Sequence, residues 1–177
     1  ASLHPLDGPA PALKDVPTAV MDQKGLRFVP QVLAVRVGTR VSFPNSDNVR
    51  HHVYSFSPAK RFELRLYAGM HSREVLFDKP GVVVMGCNIH DWMLGYIYVV
   101  DSPWFAQSGD DGRINLRDVP PGAYELRLWQ PRMDGPGEMQ ETNVQVPTDG
   151  AIQHSFVVHL HAAELSNKPP PGLVPDD

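Results

Sequence analysis

No stretch of this chain sustains an apolar period of 3.6 residues for more than a turn or two. Proline and glycine interrupt it 18 and 14 times in 177 residues. Proline removes a backbone donor and glycine turns freely, so punctuation at this density favours short strands over long helices. Between the breaks the residues alternate. Leu26-Arg27-Phe28-Val29-Pro30, Leu33-Ala34-Val35-Arg36-Val37 and Arg40-Val41-Ser42-Phe43 have the two-residue period of half-buried strands. His51 to Phe56, Phe62 to Tyr67, Arg73 to Phe77, Val82 to Gly86 and Leu94 to Val100 continue the series. Gly38-Thr39, Asn45-Ser46-Asp47-Asn48 and Asp78-Lys79-Pro80-Gly81 supply turns. Val82 to Gly86 and Leu94 to Val100 are apolar almost throughout, which puts them in the middle of a packed sandwich. The expected fold is all-β.

The same punctuation divides the chain. Residues 1–17 are rich in Pro and Ala and read as an N-terminal arm or an irregular strand. Residues 18–101 form a first β domain, closed near Asp101-Ser102-Pro103. Residues 104–165 form a smaller β unit, near the lower size limit for independent folding. Its expected strands are Arg113 to Leu116, Tyr124 to Trp129, Gln140 to Val146 and Ile152 to Leu160. Residues 166–177 are a Pro-rich tail, expected to be disordered or extended.

Hydrophobic residues make up 42% and charged residues 20%, a balance that supports a packed core. The net charge of −4 gives no basic excess for nucleic acid. The longest apolar runs, Val82 to Met85 and Tyr96 to Val100, are too short to span a bilayer. The chain starts at Ala1 without an initiator Met, as expected of either a cleaved export leader or a trimmed chain.

One cysteine excludes an internal disulfide and leaves a thiol to explain. It lies in Cys87-Asn88-Ile89-His90-Asp91-Trp92-Met93, with an imidazole three residues on and a thioether three further. An inert buried thiol is the plain alternative. With His51-His52 upstream, the set instead matches the donors of a mononuclear copper electron-transfer centre: one thiolate, two imidazoles and a weak axial thioether. In a strand, His51 and His52 point to opposite faces, and periodicity alone does not choose between them.

The run from Gly86 to Val99 resembles the ligand loop and following strand of the cupredoxin (blue copper) family, in its amicyanin- and plastocyanin-like form. Both have Cys-x-x-His-x-x-Met before a strand. Arg50-His51-His52-Val53-Tyr54 is similar to the family's Pro-His-Asn-Val segment, which implies His51 as the ligand and puts His52 where the family has Asn. Phe28-Val29-Pro30 and Val37-Gly38-Thr39 resemble its early strands, so the likeness covers residues 18–101. It is strongest to cupredoxin-like methylamine utilisation proteins, which carry an extra β domain. Asp111 to Leu116 and Val119 to Leu126 resemble a carboxypeptidase-regulatory-like domain.

The resemblance implies a Greek-key cupredoxin β-sandwich followed by a smaller transthyretin-like or Ig-like one. It implies one copper per chain, cycling between Cu(I) and Cu(II) at His51, Cys87, His90 and Met93. His52, Asn88 and Trp92 would surround these ligands or stand in for one. The protein would be a periplasmic or otherwise exported electron carrier rather than an enzyme. His90 would face a transient redox partner such as a cytochrome or dehydrogenase. The rival reading is a periplasmic copper chaperone, store or sensor, with Met70, His71, Met85 and His52 as extra donors. His159-x-His161, with His154 nearby, is a weaker metal pair. Asp110-Asp111 reads as turn chemistry rather than a calcium loop.

Overall fold

In the computed structural model, which describes residues 1–11, 17–69, 73–133 and 138–162, every regular element is a strand. In chain order these are β1 (Ser2–Pro5), β2 (Thr18–Val20), β3 (Asp22–Gln23), β4 (Phe28–Val29), β5 (Val32–Arg36), β6 (Thr39–Ser42) and β7 (His51–Ser57). Then follow β8 (Lys60–Tyr67), β9 (Glu74–Phe77), β10 (Gly81–Cys87), β11 (Leu94–Val100), β12 (Trp104–Phe105), β13 (Gly122–Leu128) and β14 (Gln140–Val146). Among the described residues no helix is long and apolar enough to cross a membrane. Residues 17–99 form one compact unit; residues 1–11 and 100–162 form another.

The unit of residues 17–99 carries the cysteine. It has a five-stranded sheet in the order β5-β11-β10-β7-β8, a three-stranded sheet β2-β6-β9 and the small pair β3-β4. The chain leaves the large sheet after β5 for β6 and returns as β7; it leaves again after β8 for β9 and returns as β10. Non-sequential neighbours therefore sit side by side, as the Greek-key expectation requires. Both sheets feed one core. Val41 and Phe77 from the smaller sheet join Val53, Val83, Met85, Ile97 and Val99 from the larger, all at most 1% exposed. Burying side chains of this size contributes about 1.5–3 kcal/mol each.

Alternation fixes what points inward. On β10 the buried row is Val83, Met85, Cys87; on β7 it is His51, Val53, Ser55. Cys87 and His51 are thus the end members of two apolar rows on paired strands, in a register that sets Cys87 opposite Val53. Gly86 has no room for a side chain, because a Cβ there would lie 2.8 Å from the Tyr54 hydroxyl.

The second unit has one four-stranded sheet, β12-β1-β13-β14. The arm expected over residues 1–17 is, in its first part, a strand inside this sheet. Ser2 and Leu3 pair with Phe105 and Trp104 on one side and with Arg127 and Leu126 on the other. The strands expected at Tyr124 to Trp129 and Gln140 to Val146 form as β13 and β14. Those expected at Arg113 to Leu116 and Ile152 to Leu160 have no ladder partner. Leu116 and Phe156 nevertheless pack against the buried Leu3, Tyr124 and Leu126. The layer expected as a second sheet is therefore irregular chain among the described residues. Tyr124 donates its hydroxyl to the Pro120 carbonyl, 2.9 Å away and four residues upstream, and stacks edge-on against Trp104 at 5.5 Å. The expected tail over residues 166–177 lies outside the described residues.

Candidate metal centre

Cys87 ends β10, and the chain then turns back on itself. The Met93 amide donates to the His90 carbonyl at 2.9 Å, which closes the turn before β11 begins. His90 is thereby folded back over Cys87, with its Nδ1 3.7 Å from the sulfur. From β7, His51 brings its own Nδ1 to 3.8 Å from the same sulfur. The three donor atoms lie within 4.8 Å of one another. The two rings meet edge-on at 4.9 Å. His51 is fully buried, Cys87 is 3% exposed and His90 is half-buried.

The sulfur is held from several sides. The backbone amides of His52 and Ile89 bond to it, together with the two imidazoles. Burial pushes the thiol up from its ordinary 9, but the bond from His51, those amides and His90 outweigh it and bring it down to about 6. The site therefore presents a thiolate at neutral pH, the form that binds metal. For His51, burial disfavours the charged ring, yet its bonds to Cys87 and Asp47 win and raise the pKa above the usual 6.5.

Asp47 explains how His51 is aimed. Its Oδ2 lies 2.9 Å from His51 Nε2. With Nε2 held by this carboxylate, Nδ1 faces the sulfur, where a metal ion would displace the proton that Nδ1 shares with Cys87 and take its lone pair; this is the usual way a carboxylate orients a ligating imidazole. Asp47 is itself pinned by the amides of Gly25 (2.6 Å) and Leu26 (3.0 Å), and its own amide donates to Asn45 Oδ1 at 3.0 Å. The buried Asn45 side chain in turn donates to the Val49 and Tyr67 carbonyls at 2.8 and 3.0 Å. Leu26 closes a circuit: its carbonyl accepts Trp92 Nε1 at 3.2 Å, and the Trp92 ring lies 5.2 Å from that of His90. One network of loops thus orients both imidazoles.

The His51 ring, and not that of His52, turns to Cys87. The His52 side chain is on the other face of β7, with Nε2 2.9 Å from Glu63 Oε1 and its ring 6.0 Å from that of Tyr54. Its backbone still ties the site together, since the His52 carbonyl accepts the Asn88 amide at 3.3 Å. The Asn88 side chain is exposed. Opposite His51 the pairing with β8 slips by one residue, between His51 and Val53, a bulge of the kind that re-aims side chains beside functional sites. Met93 is 1% exposed, in the same buried cluster as Cys87. Met85 is fully buried in that core as well; Met70 and His71 lie outside the described residues. The possible imidazole pair His159-x-His161 loses its strand basis, and no second cluster of three His, Cys, Asp or Glu exists among the described residues.

Asp47 and the 25–26 backbone were not singled out in the sequence. Asn45-Ser46-Asp47-Asn48 reads only as a polar turn, and nothing periodic marks a carboxylate four residues before a strand histidine. The donor set fits copper: one thiolate and two imidazoles, with a thioether in the turn that carries two of them. A structural zinc site would call for a fourth strong donor, and among the described His, Cys, Asp and Glu side chains none joins the three.

No family model and no curated protein matches the chain. Among solved structures it is similar to a copper-containing nitrite reductase from Thermus scotoductus SA-01, with 30% identity, 55% of this chain and 25% of that one covered, and a TM-score of 0.45. The chain thus spans about a quarter of that enzyme. It is also similar to a purple cupredoxin from Nitrosopumilus maritimus, with 23% identity, 48% and 99% coverage and a TM-score of 0.41. For a Cu(I) amicyanin variant the figures are 19%, 53% and 95%, with a TM-score of 0.43.

Proposed function

We propose that this chain is a cupredoxin-type electron carrier holding one copper ion at His51, Cys87 and His90, with Met93 as the weak axial donor. The observation that carries this reading is the convergence of two imidazole nitrogens on one buried sulfur within 4.8 Å. Copper bound there would accept and release one electron at a time. The residues of the chain do the rest. Amide bonds to the sulfur and the Asp47 carboxylate hold the donors in place, so little has to move between oxidation states. The apolar rows ending at Cys87 and His51 keep water from the inner side. His90 is half-buried beside Ile89, which is 49% exposed, and so offers an edge at which an electron can leave. The partner would be another redox protein, such as a cytochrome or dehydrogenase, docking weakly over a small interface. The setting would be the periplasm or another exported compartment, in line with the family likeness of residues 18–101.

Copper loading followed by an optical spectrum tests this. An intense thiolate-to-copper charge-transfer band, one copper per Cys87 site, and reversible bleaching by a mild reductant are expected. A colourless protein that binds only Cu(I) at Cys87 would replace electron transfer with storage or delivery.

A further inference from the structure

We propose that the second unit holds its own site for monovalent copper, formed by Met133, Met139 and His159. These residues line one open cavity of about 170 Å³, together with Glu138 and Gln140; Met133 is buried, Met139 half-buried and His159 exposed at its rim. No residue is shared with the Cys87 site, so the inference stands independently of the electron-carrier reading.

The walls are built from three fixed pieces. The Met133 amide donates to the Gln130 carbonyl at 3.1 Å, and the Arg132 amide donates to Gln130 Oε1 at 2.6 Å. This sets Met133, which is 8% exposed, at the end of a tight turn. Met139 directly precedes β14, whose first residue, Gln140, lines the cavity. The extended chain that carries His159 is strapped on both sides of that residue. Gln140 Nε2 donates to the Val157 carbonyl at 2.8 Å, and the His161 amide donates to the Arg132 carbonyl at 2.9 Å. His159 lies midway between the straps and is thereby held in the cavity wall. This explains why a segment without a ladder keeps a defined course.

The donor chemistry narrows the ligand. Two thioethers and an imidazole are soft and borderline donors, the set that selects Cu(I) over zinc, magnesium or calcium. Thioethers carry no proton at any ordinary pH, so they bind without displacing one, and the exposed Glu138 of the same cavity adds a negative charge that favours a cation. Packing alone gives no reason for two thioethers and a histidine to share one cavity, because Leu fills apolar space equally well.

The test is an anaerobic titration of the purified chain against a chromophoric Cu(I) chelator, with circular dichroism confirming the fold of each variant. Wild type should take two Cu(I) per chain and Cys87→Ser one. The double variant Met133→Leu, Met139→Leu keeps side-chain volume; it should take one Cu(I) and show the same thiolate-to-copper colour as wild type when loaded with Cu(II). His159→Ala should weaken the second equivalent at least tenfold. A single equivalent in wild type that Cys87→Ser abolishes would overturn the proposal, as would two equivalents retained by the Leu double variant. Failure of the colour alone would sink the electron-carrier reading and leave this site intact.

Discussion

The two units bury apolar side chains by different means. In the unit of residues 17–99, every large fully buried residue of β7, β9, β10 and β11 belongs to a hydrogen-bonded ladder, and two sheets close on one core. In the second unit a single sheet supplies Leu3, Tyr124 and Leu126, while Leu116, Val119 and Phe156 cover it from chain that has no ladder. A ladder satisfies backbone groups and sets side chains at once. Irregular cover must find its hydrogen bonds piecemeal, as Gln140 does for Val157. A thiolate site that must be held to fractions of an ångström is built in the first unit, at the ends of two ladder rows. The difference shows that alternating polarity reports one buried face, and says nothing of whether a strand partner lies beside it.

Removing residues 1–11 should have the largest effect on this contrast. β1 is an inner strand of the second sheet, paired on both sides, and Leu3 is part of a very small core. Its loss leaves β12 without a partner, strips one edge of β13 and opens that core. We expect the second unit to lose amide protection in β13 and its Trp104 near-ultraviolet signal, while the colour of the copper-loaded Cys87 site persists. Retained protection in β13 would show that the irregular cover, rather than β1, organises that unit.

The ligand variants come next. Cys87→Ser should abolish the charge-transfer band completely and leave the 17–99 unit folded, because Val83, Met85 and the other members of the core are untouched. His51→Ala should remove the colour, whereas His52→Ala should retain most of it, since the His52 ring faces Glu63. Optical titration with copper distinguishes them. Equal loss in both variants would mean that the β7 register in solution differs from the one described.

Much of the first unit was legible in the residues. Period-two runs located β5 to β9, continuous apolar runs located β10 and β11, and the Cys-x-x-His-x-x-Met spacing located a turn that brings His90 over Cys87. Which of His51 and His52 turns to Cys87 depends on the pairing of β7 with β10, a contact between positions far apart in sequence. Asp47 was invisible because its role depends on where residues 25 and 26 come to rest. In the second unit, Tyr124 to Leu128 read correctly because Leu126 and Tyr124 face a real core. Ile152 to Leu160 misled because Phe156 and Val158 are half-buried at a two-residue spacing with no strand alongside. The place of Ser2–Pro5 in the sheet was hidden for a related reason. A four-residue strand that ends in Pro has too short a pattern to separate from an arm, and its partners lie a hundred residues away.

Smaller effects should follow from loosening the histidine rather than removing it. Asp47→Asn keeps the shape of the side chain and can still accept from Gly25 at Oδ1, but an amide NH2 in place of Oδ2 cannot accept from Leu26 or His51, and the charge behind His51 is withdrawn. Losing such a partner typically costs about 10- to 100-fold in metal affinity, so copper should still bind and colour should survive at a weaker affinity. The same variant lowers the His51 pKa, because one of the bonds that raises it is weakened. In the metal-free protein the Cys87 thiolate should titrate with a midpoint of about 6, read from its ultraviolet absorbance. The sign of the linked stability follows. A thiol depressed from 9 to about 6 adds stability that is complete above the ordinary value and is lost as pH falls through about 6. The metal-free 17–99 unit should therefore melt at lower temperature as pH drops through that range, with the second unit unaffected by this group. A thiolate midpoint near 9 would mean that the amides and imidazoles do not hold the sulfur in the absence of metal, and the contrast between a ladder-built site and a loosely covered sheet would lose its sharpest evidence.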